Sequence, residues 1–211
     1  MIDKVQKKVI TIDGPSASGK GTLAVKIAEA LELPYLNTGA IYRALALKVL
    51  NVGVDLDDIS LICQIANEIS QKDLESEELR NEEVGKVASQ VSAIPEVRKV
   101  LLDFQKQFAN NELGAVLEGR DTGTVICPNA EYKFFVTASI EERTSRRYKE
   151  LIKKEKKVTY LDILNKLKER DKRDLERAAA PLIKAEDAIE LDTTNMNADE
   201  VFEFVLSKIE T

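Results

Sequence analysis

A glycine-rich stretch near the start of the chain, GPSASGKGT at residues 14–22, has the composition of a phosphate-binding loop. Glycines let successive main-chain N–H groups turn toward an anion, and the positive end of a following helix adds to the attraction. Lys20 supplies a point charge beside them. The spacing fits G-x-x-x-x-G-K, but Gly21 stands where serine or threonine usually follows the lysine, and Thr22 comes one place later. We predict that this stretch holds phosphate.

A second feature that suits an anion is a set of arginines near predicted strand ends. They are Arg43, Arg120, Arg170, Arg173 and Arg177. Guanidinium groups bind phosphate through paired hydrogen bonds, and ligands of open α/β sheets bind outside the strand ends. The spacing of Arg170, Asp174 and Arg177 predicts one helix face that carries all three. A solvated face with weak ion pairs is the alternative, but the recurrence of arginine in several segments favours a second anion site.

The chain contains no histidine, which bears on the chemistry. A nucleoside monophosphate, with a second pKa of about 6, already offers an anionic oxygen at neutral pH and needs no general base. A sugar hydroxyl would need one. Mg²⁺ is expected to bridge the outer phosphates of ATP, and Asp13 or Thr22 could help to place it through water. Asp13 could equally be a strand-end residue that binds loop N–H groups, and no residue is assigned as a direct metal ligand.

Composition bounds the remaining possibilities. A length of 211 residues, 44% of them hydrophobic and 32% charged, predicts one compact domain. The net charge of −6 argues against a general binder of nucleic acids or membrane surfaces. Cys63 and Cys127 lie far apart, which predicts two reduced core cysteines rather than a zinc site or a disulfide framework. The sequence shows neither a signal peptide nor a membrane span, so we expect a cytoplasmic protein.

The elements that must position these residues alternate between strand and helix. Strands are predicted at residues 9–13, 34–36, 114–117, 132–136 and 188–191. Leu23, Ile27 and Leu31 have helical spacing, Thr38 is predicted to cap a helix over 41–50, and Ser139 to cap one that runs through Arg147. A last helix carries Val201, Val205 and Ile209. This alternation predicts an α/β class with a central five-stranded parallel sheet between two helical layers.

Two segments depart from the alternation. Residues 57–111 have helical period throughout, and one stripe holds Val97, Val100, Leu101, Phe104 and Phe108. The charged stretch KELIKKEKKVTYLD is too polar for a core and suits a flap that closes over a nucleotide and excludes water. We therefore expect one domain with its core at 1–56 and 112–211, a helical insertion at about 57–111 and a short lid at about 148–162.

Six motifs, in order, resemble the cytidylate kinases, a family of nucleoside monophosphate kinases with a phosphate-binding loop (P-loop). They are IDGPSASGKGT, LNTGAIYRALAL, ASQVSAIPEVR, EGRDTGTVICPNA, RRYKEL and KERDKRDLERAAAPL, and they span nearly the whole chain. The Gly-Thr order after Lys20 is typical of nucleoside monophosphate kinases. The resemblance implies the three-layer P-loop fold and the phosphorylation of CMP and dCMP by ATP. Many members carry a longer insertion with a small antiparallel sheet before ASQV, whereas ISQKDLESEELRNEEVGK is short, charged and helical in period.

The resemblance also implies roles for individual residues. The ATP phosphates would be held by Gly14, Pro15, Ser16, Ala17, Ser18, Gly19, Lys20, Gly21 and Thr22, with Arg146 or Arg147 on the closing flap. The CMP phosphate and its surroundings would be held by Thr38, Arg43, Arg120, Arg170 and Arg177. Asp174 would contact the ribose, and Ser89, Arg98 and Asp121 would read the cytosine and make this the nucleoside monophosphate (NMP) site. We expect Lys20, Arg120, Arg170 and Arg177 to stabilise the transferring group, and the protein to act as a monomer.

Two other functions remain open at the level of sequence. The chain could be a kinase of another acceptor, such as a different nucleoside monophosphate or a small hydroxylated acid. It could instead be a non-catalytic nucleotide switch. Against a guanine-nucleotide switch, NKLK at residues 165–168 lacks the aspartate of the N-K-x-D motif. A second arginine site would also have no purpose in a switch.

Overall fold

Residues 7–154 and 157–209 are described by this computed structural model, and they form an α/β fold around a five-stranded, all-parallel sheet. The strands are β1 (Lys8–Asp13), β2 (Tyr35–Asn37), β3 (Gly114–Gly119), β4 (Tyr132–Thr137) and β5 (Ile189–Asp192), in the order β2-β3-β1-β4-β5. All five predicted strands are confirmed. Residues 1–6, 210 and 211 of the predicted core, and residues 155 and 156 of the predicted lid, lie outside the described residues.

Eight α-helices accompany the sheet in the described part of the chain. They are α1 (Lys20–Ala30), α2 (Thr38–Val52), α3 (Ile59–Asn67), α4 (Glu82–Val91), α5 (Pro95–Ala109), α6 (Ile140–Lys153), α7 (Tyr160–Glu176) and α8 (Ala198–Ile209). Two 3-10 turns, Gln71–Glu75 and Glu77–Arg80, precede α4, and a π-helical turn, Thr122–Ile126, follows β3. The segment before ASQV is therefore helical, as its period predicts.

The sheet separates two apolar cores, one on each face. Successive residues of a strand point to opposite faces, so Val116 joins one core while its neighbours Ala115 and Leu117 join the other. One core packs β1, β4 and β5 against α1 and α8. The other packs β2 and β3 against α2 and the helices α3, α4 and α5. The predicted three-layer arrangement is thus confirmed.

The insertion packs through the apolar stripe that its sequence predicts. Val97 and Leu101 of α5 are buried in the second core, and Val100, Phe104 and Phe108 are half-buried against it. Its helices therefore share a core with α2 and β3. The positions of α4 and α5 relative to the sheet are therefore fixed by this shared core.

One sequence prediction about local structure is wrong. Thr38 is the first residue of α2 rather than its cap, because Asn37 Oδ1 accepts the hydrogen bond from the Ala40 N–H. Arg177 is the C-cap of α7: its N–H still donates to the carbonyl oxygen of Arg173 (3.0 Å) and only its ψ is extended, so it follows Arg170 and Asp174 on the predicted face. The cap predicted at Ser139 is confirmed: its hydroxyl oxygen accepts a hydrogen bond from Glu142 N.

Two predicted absences can be compared with the structure. Cys63 and Cys127 are free thiols, as expected, but both are half-buried rather than buried. No helix within residues 7–154 and 157–209 combines the length and apolar character needed to cross a bilayer.

Candidate active site

The glycine-rich loop joins the carboxyl end of β1 to the start of α1. A Cβ at Gly14 would lie 2.0 Å from the carbonyl oxygen of Val136, so only glycine fits between the loop and β4. Gly19 has a φ of 93°, in the left-handed region, where it caps α1. The loop is thereby held against the sheet and ends at a helix N-terminus, where main-chain N–H groups lack helical partners.

Lys20 is almost fully buried at the start of α1. Its Nζ donates a hydrogen bond to the carbonyl oxygen of Pro15 (3.1 Å) and lies 3.5 Å from Oε1 of Glu118. Burial and the charge of Arg120 lower the pKa of Lys20 to about 7, although Glu118 opposes them. An anion in the loop would stabilise the charged form of this amine, so the site favours a phosphate ligand.

Two arginines of α6 contact the main chain of the loop. Arg143 Nη1 donates to the carbonyl oxygen of Ser16 (3.2 Å) and to Oδ2 of Asp171 (2.7 Å). Arg146 Nη1 donates to the carbonyl oxygen of Ser18 (3.3 Å). Arg146 is one of the two residues predicted for the flap, whereas Arg143 is missed by the sequence analysis. Its i, i+3 spacing from Arg146 is the signal that could have found it.

Arg147, the other arginine predicted for the flap, does not contact the loop. Its Nη1 donates to Oε2 of Glu150 (2.6 Å) on the same helix, and 39% of its side chain is exposed. Burial, and then the charge of Arg147, lower the pKa of Arg43. The contact of Arg147 with ATP stays a prediction.

A cavity of about 520 Å³ opens beside the loop. Ser18 and Thr22 line it, together with Thr193 and residues 195–198, which lead into α8. Thr193 Oγ1 donates to the carbonyl oxygen of Ser18 (3.1 Å) and so ties this segment to the loop. The sequence analysis misses residues 193–198, which carry no recognisable motif. The volume lies in the range of small-ligand pockets, and its position suits the nucleoside of a ligand whose phosphates occupy the loop.

A second pocket lies at the carboxyl ends of β2 and β3, and all nine residues assigned to CMP by resemblance line it. They are Thr38, Arg43, Ser89, Arg98, Arg120, Asp121, Arg170, Asp174 and Arg177. Tyr42 lines it too and is missed by the sequence analysis, although it stands directly before Arg43 in the motif. The fold therefore gathers residues from α2, α4, α5, the end of β3 and α7 around one space of about 50 Å³.

The second pocket concentrates positive charge in an otherwise acidic chain. Asp121 pairs with Arg98 and, at 3.4 Å, with Arg177. Asp174 accepts a hydrogen bond from Nε of Arg120 (2.8 Å). Five arginines line the pocket against two aspartates, so three positive charges are left over. This excess suits a phosphate dianion.

Arg170 lies between the two sites. Its Nη1 donates to Oγ of Ser16 (3.3 Å) in the loop, while the same side chain lines the second pocket. Its buried Nε has no hydrogen-bond partner among the described residues. Burial and the charge of Arg120 lower the pKa of Arg170 to about 10. A ligand oxygen that bound this guanidinium would therefore relieve both an unpaired donor and a repulsion between cations.

The wall formed by α4 and α5 offers polar groups suited to a base. Ser89 Oγ is buried without a hydrogen-bond partner among the described residues. The guanidinium of Arg98 lies 5.4 Å from the centroid of the Tyr42 ring and donates to the carbonyl oxygen of Ser92 (3.1 Å). An unpaired buried hydroxyl beside a fixed guanidinium provides hydrogen-bonding positions for a polar heterocycle.

The two residues proposed to place Mg²⁺, Asp13 and Thr22, differ in whether their side-chain oxygens are free to bind a metal. Both carboxylate oxygens of Asp13 accept hydrogen bonds from Thr122 and Gly123, which favours the structural alternative for Asp13. Thr22 lines the cavity beside the loop, and its hydroxyl oxygen is a ligand type that Mg²⁺ prefers. Glu118 is engaged like Asp13, because its Oε2 accepts a hydrogen bond from the Tyr35 hydroxyl and its Oε1 pairs with Lys20. No group of three or more His, Cys, Asp or Glu suited to a metal occurs among residues 7–154 and 157–209.

Comparisons with known proteins give a consistent result. A family model described as "Cytidylate kinase" matches residues 10–211. The "Cytidylate kinase" of Paramagnetospirillum magneticum is 48% identical over 204 residues, covering 95% of this chain and 97% of that protein. That of Vibrio cholerae is 46% identical and covers 96% of both. A crystal structure of an uncharacterized protein from Eubacterium ventriosum has a TM-score of 0.56 at 18% identity, over 97% of this chain and 99% of that one, and shares the fold.

Proposed function

The chain belongs to the cytidylate kinase family, and on that premise we propose how its two anion sites divide the reaction between them. The protein is an ATP-dependent kinase that phosphorylates CMP and dCMP to the diphosphates. The observation that carries our assignment is Arg170, whose guanidinium lines the second pocket and contacts the loop at Ser16. A donor in the loop and an acceptor in the pocket would meet at this side chain.

The donor site is the loop at residues 14–22. Its main-chain N–H groups and Lys20 would bind the ATP phosphates, while Arg143 and Arg146 support the loop from α6. The nucleoside would occupy the cavity between the loop and residues 193–198. Arg147, which is half-exposed, would reach the nucleotide when the lid closes. Closure would exclude water and prevent hydrolysis of ATP without an acceptor.

The acceptor site is the second pocket. Arg43, Arg120, Arg170 and Arg177, with Thr38, would hold the CMP phosphate; Asp174 would contact the ribose; and Ser89, Arg98 and Asp121 would read the cytosine. The excess of three positive charges in the pocket supports a dianionic acceptor. The ion pairs of Asp121 and Asp174 now cross a small space, so these side chains must rearrange to admit CMP.

Transfer between the sites is by direct in-line displacement. The acceptor phosphate is already anionic, which is why a chain without histidine can act on it without a general base. Lys20, Arg120, Arg170 and Arg177 would neutralise charge on the transferring group. When bound, Mg²⁺ would supply further neutralisation of the outer ATP phosphates, and Thr22 is the residue that would help to hold it.

We further propose that residues 57–111 form the NMP-binding part, that residues 148–162 form the lid, and that the protein acts as a cytoplasmic monomer. The half-buried stripe of α5 supports the first assignment, because the same segment packs on α2 and presents Arg98 to the pocket. The exposed side chains of Ile152 and Leu161 support the second, since a segment that closes over a ligand need not be packed beforehand. Sedimentation analysis tests the oligomeric state.

Coupled measurement of ADP release with CMP, dCMP, UMP and AMP tests the function. We expect turnover with CMP and dCMP, and a preference for CMP over UMP above about tenfold, because one well-made polar contact discriminates by that much. Equal rates with UMP would contradict the role of Asp121 in reading the cytosine amine. ADP release that did not depend on any acceptor would contradict the proposed transfer and favour a nucleotide-binding module.

A further inference from the structure

The carboxylate of Asp13, at the end of β1, is bound to the turn that follows β3. Oδ1 accepts hydrogen bonds from Thr122 N (2.9 Å) and Thr122 Oγ1 (2.8 Å), and Oδ2 accepts one from Gly123 N (2.8 Å). Asp13 is 5% exposed, so these three donors replace water at the group. The two main-chain N–H groups require an accepting lone pair on each of the two carboxylate oxygens.

The turn that Asp13 holds carries two residues of the acceptor pocket. Arg120 and Asp121 lie between Gly119 and Thr122, and both line that pocket. β1 and β3 are hydrogen-bonded neighbours with Asp13 opposite Gly119, so the side chain of Asp13 reaches across the end of β3 to the residues after Asp121.

The other flank of this short segment is also fixed. Thr38 Oγ1 donates a hydrogen bond to the carbonyl oxygen of Glu118 (2.9 Å), directly before Gly119. A Cβ at Gly119 would lie 2.5 Å from Thr38 Oγ1 and 3.5 Å from Asp13 Oδ1, so the main chain passes closely between the two anchors. Arg120 and Asp121 therefore project from a segment that is held at both ends.

We propose that Asp13 is a positioning residue for recognition of the acceptor base. It acts by fixing the turn that carries Arg120 and Asp121, so that these two side chains face their partners Asp174 and Arg98 in the pocket. This inference rests on the proposed function, because it assigns Asp121 to the cytosine. On this proposal Asp13 does not bind the ATP phosphates or the metal, because both its carboxylate oxygens accept hydrogen bonds from the turn. Asp13 then adjoins the donor loop in sequence but acts on the acceptor.

The variant Asp13→Asn tests the proposal with almost no change in size. An amide has one acceptor oxygen, so either Thr122 N or Gly123 N would face an NH₂ donor, and the turn would shift. We expect the KM for CMP to rise about tenfold or more and the preference for CMP over UMP to fall about fivefold or more, with the KM for ATP changed less than about threefold. A loss of kcat and of ATP affinity with unchanged CMP affinity and base preference would overturn the proposal.

A second variant guards against failure of Asp13→Asn to fold. Thr122→Val removes only the hydroxyl donor and keeps both main-chain hydrogen bonds. It should weaken CMP binding about threefold or more in the same selective way, and an unchanged CMP affinity and base preference would overturn the proposal. Asp103→Asn on the exposed side of α5 is the matched control for loss of one negative charge, and it should change neither constant.

These measurements also separate the two levels of inference. A wild-type enzyme that does not turn over CMP would refute the proposed function itself. A wild-type enzyme active on CMP, with both variants unchanged in CMP affinity and base preference, would refute only the role of Asp13.

Discussion

Arg170 Nη1 and Ser16 Oγ lie 3.3 Å apart, which places a guanidinium of the acceptor pocket in contact with the donor loop. Arg177 also lines that pocket, but its Nε donates to the carbonyl oxygen of Ala180 and its Nη2 to Asp121, away from the loop. The two arginines are therefore expected to differ in which substrate they affect.

Arg177→Ala should raise the KM for CMP by about tenfold or more and leave the KM for ATP nearly unchanged, because a charge-assisted hydrogen bond contributes roughly 1.5–3 kcal/mol. Arg170→Ala should weaken CMP as strongly and raise the KM for ATP more than Arg177→Ala does, because its guanidinium also contacts the donor loop. Both variants should lower kcat, because both guanidinium groups are proposed to neutralise charge on the transferring group. Steady-state kinetics with each substrate varied in turn measures this contrast. Equal losses for ATP and CMP in Arg177→Ala would contradict its assignment to the acceptor.

Binding of ATP should be accompanied by proton uptake at Lys20. With a pKa of about 7 in the free protein, this amine is mostly neutral at pH 8, and phosphate oxygens in the loop would raise its pKa. Calorimetric titration at pH 8 in two buffers with different ionisation enthalpies should report close to one proton taken up. Lys20→Met should abolish the uptake and lower turnover by orders of magnitude while the fold survives. Identical heats in both buffers for the wild type would contradict the expectation.

Asp13 should make the free energy of unfolding depend on pH. Burial raises its pKa from 3.8 to about 6, against the opposing effect of its three hydrogen bonds. Between these two values the folded state binds more protons than the unfolded state, so the free energy of unfolding falls as pH rises through this window. The fall attributable to Asp13 is about 3 kcal/mol, from about 1.4 kcal/mol for each pH unit.

The measurement is the difference in unfolding free energy between the wild type and Asp13→Asn, from urea titrations between pH 4 and pH 7. The variant cannot titrate at this position, so the stability of the wild type relative to the variant should decrease across the range. A difference that stays constant with pH would show that Asp13 keeps an ordinary pKa.

The ion pair of Arg143 and Asp171 should contribute to the stability of the fold. Arg143 Nη1 donates to Asp171 Oδ2 at 2.7 Å and also to Ser16, and both side chains of the pair are largely buried. Asp171→Ala should cost about 3 kcal/mol of stability, because it leaves a buried cation without its partner. Adding Arg143→Met should recover part of that loss in a double-mutant cycle. Strictly additive losses would contradict the coupling.

The strands are predictable because each is a short segment, rich in apolar residues, that is bounded by a turn residue or a charged one. β1 is the clearest case, since β-branched residues end at Asp13 and Gly14. The shared face of Arg170, Asp174 and Arg177 is predictable because their spacing stays helical up to the C-cap, and all three line the second pocket. The spacing does not indicate that the chain leaves the helix at Arg177, whose Nε donates to the carbonyl oxygen of Ala180.

The acceptor site is recovered more fully than the donor site. Its residues belong to long motifs, whereas the contacts of Arg143 and of residues 193–198 with the loop arise only when α6 and α8 are packed in place. Arg143 looks like a solvated residue in a polar helix. Asp13 could place a metal or bind the N–H groups of a loop, and the choice depends on β3 being the neighbour of β1. That pairing is a feature of the tertiary structure, which local sequence does not indicate.

The donor loop follows β1, the turn that carries Arg120 and Asp121 follows β3, and these two strands are hydrogen-bonded to each other. The lateral offset between the two loops is therefore inherited from the interstrand spacing of about 4.8 Å, which main-chain geometry fixes. Side-chain replacement can retune which acceptor is chosen, but it cannot lengthen that offset. An engineered kinase for a bulkier acceptor would have to gain its room from the helical insertion and leave the register of these strands intact.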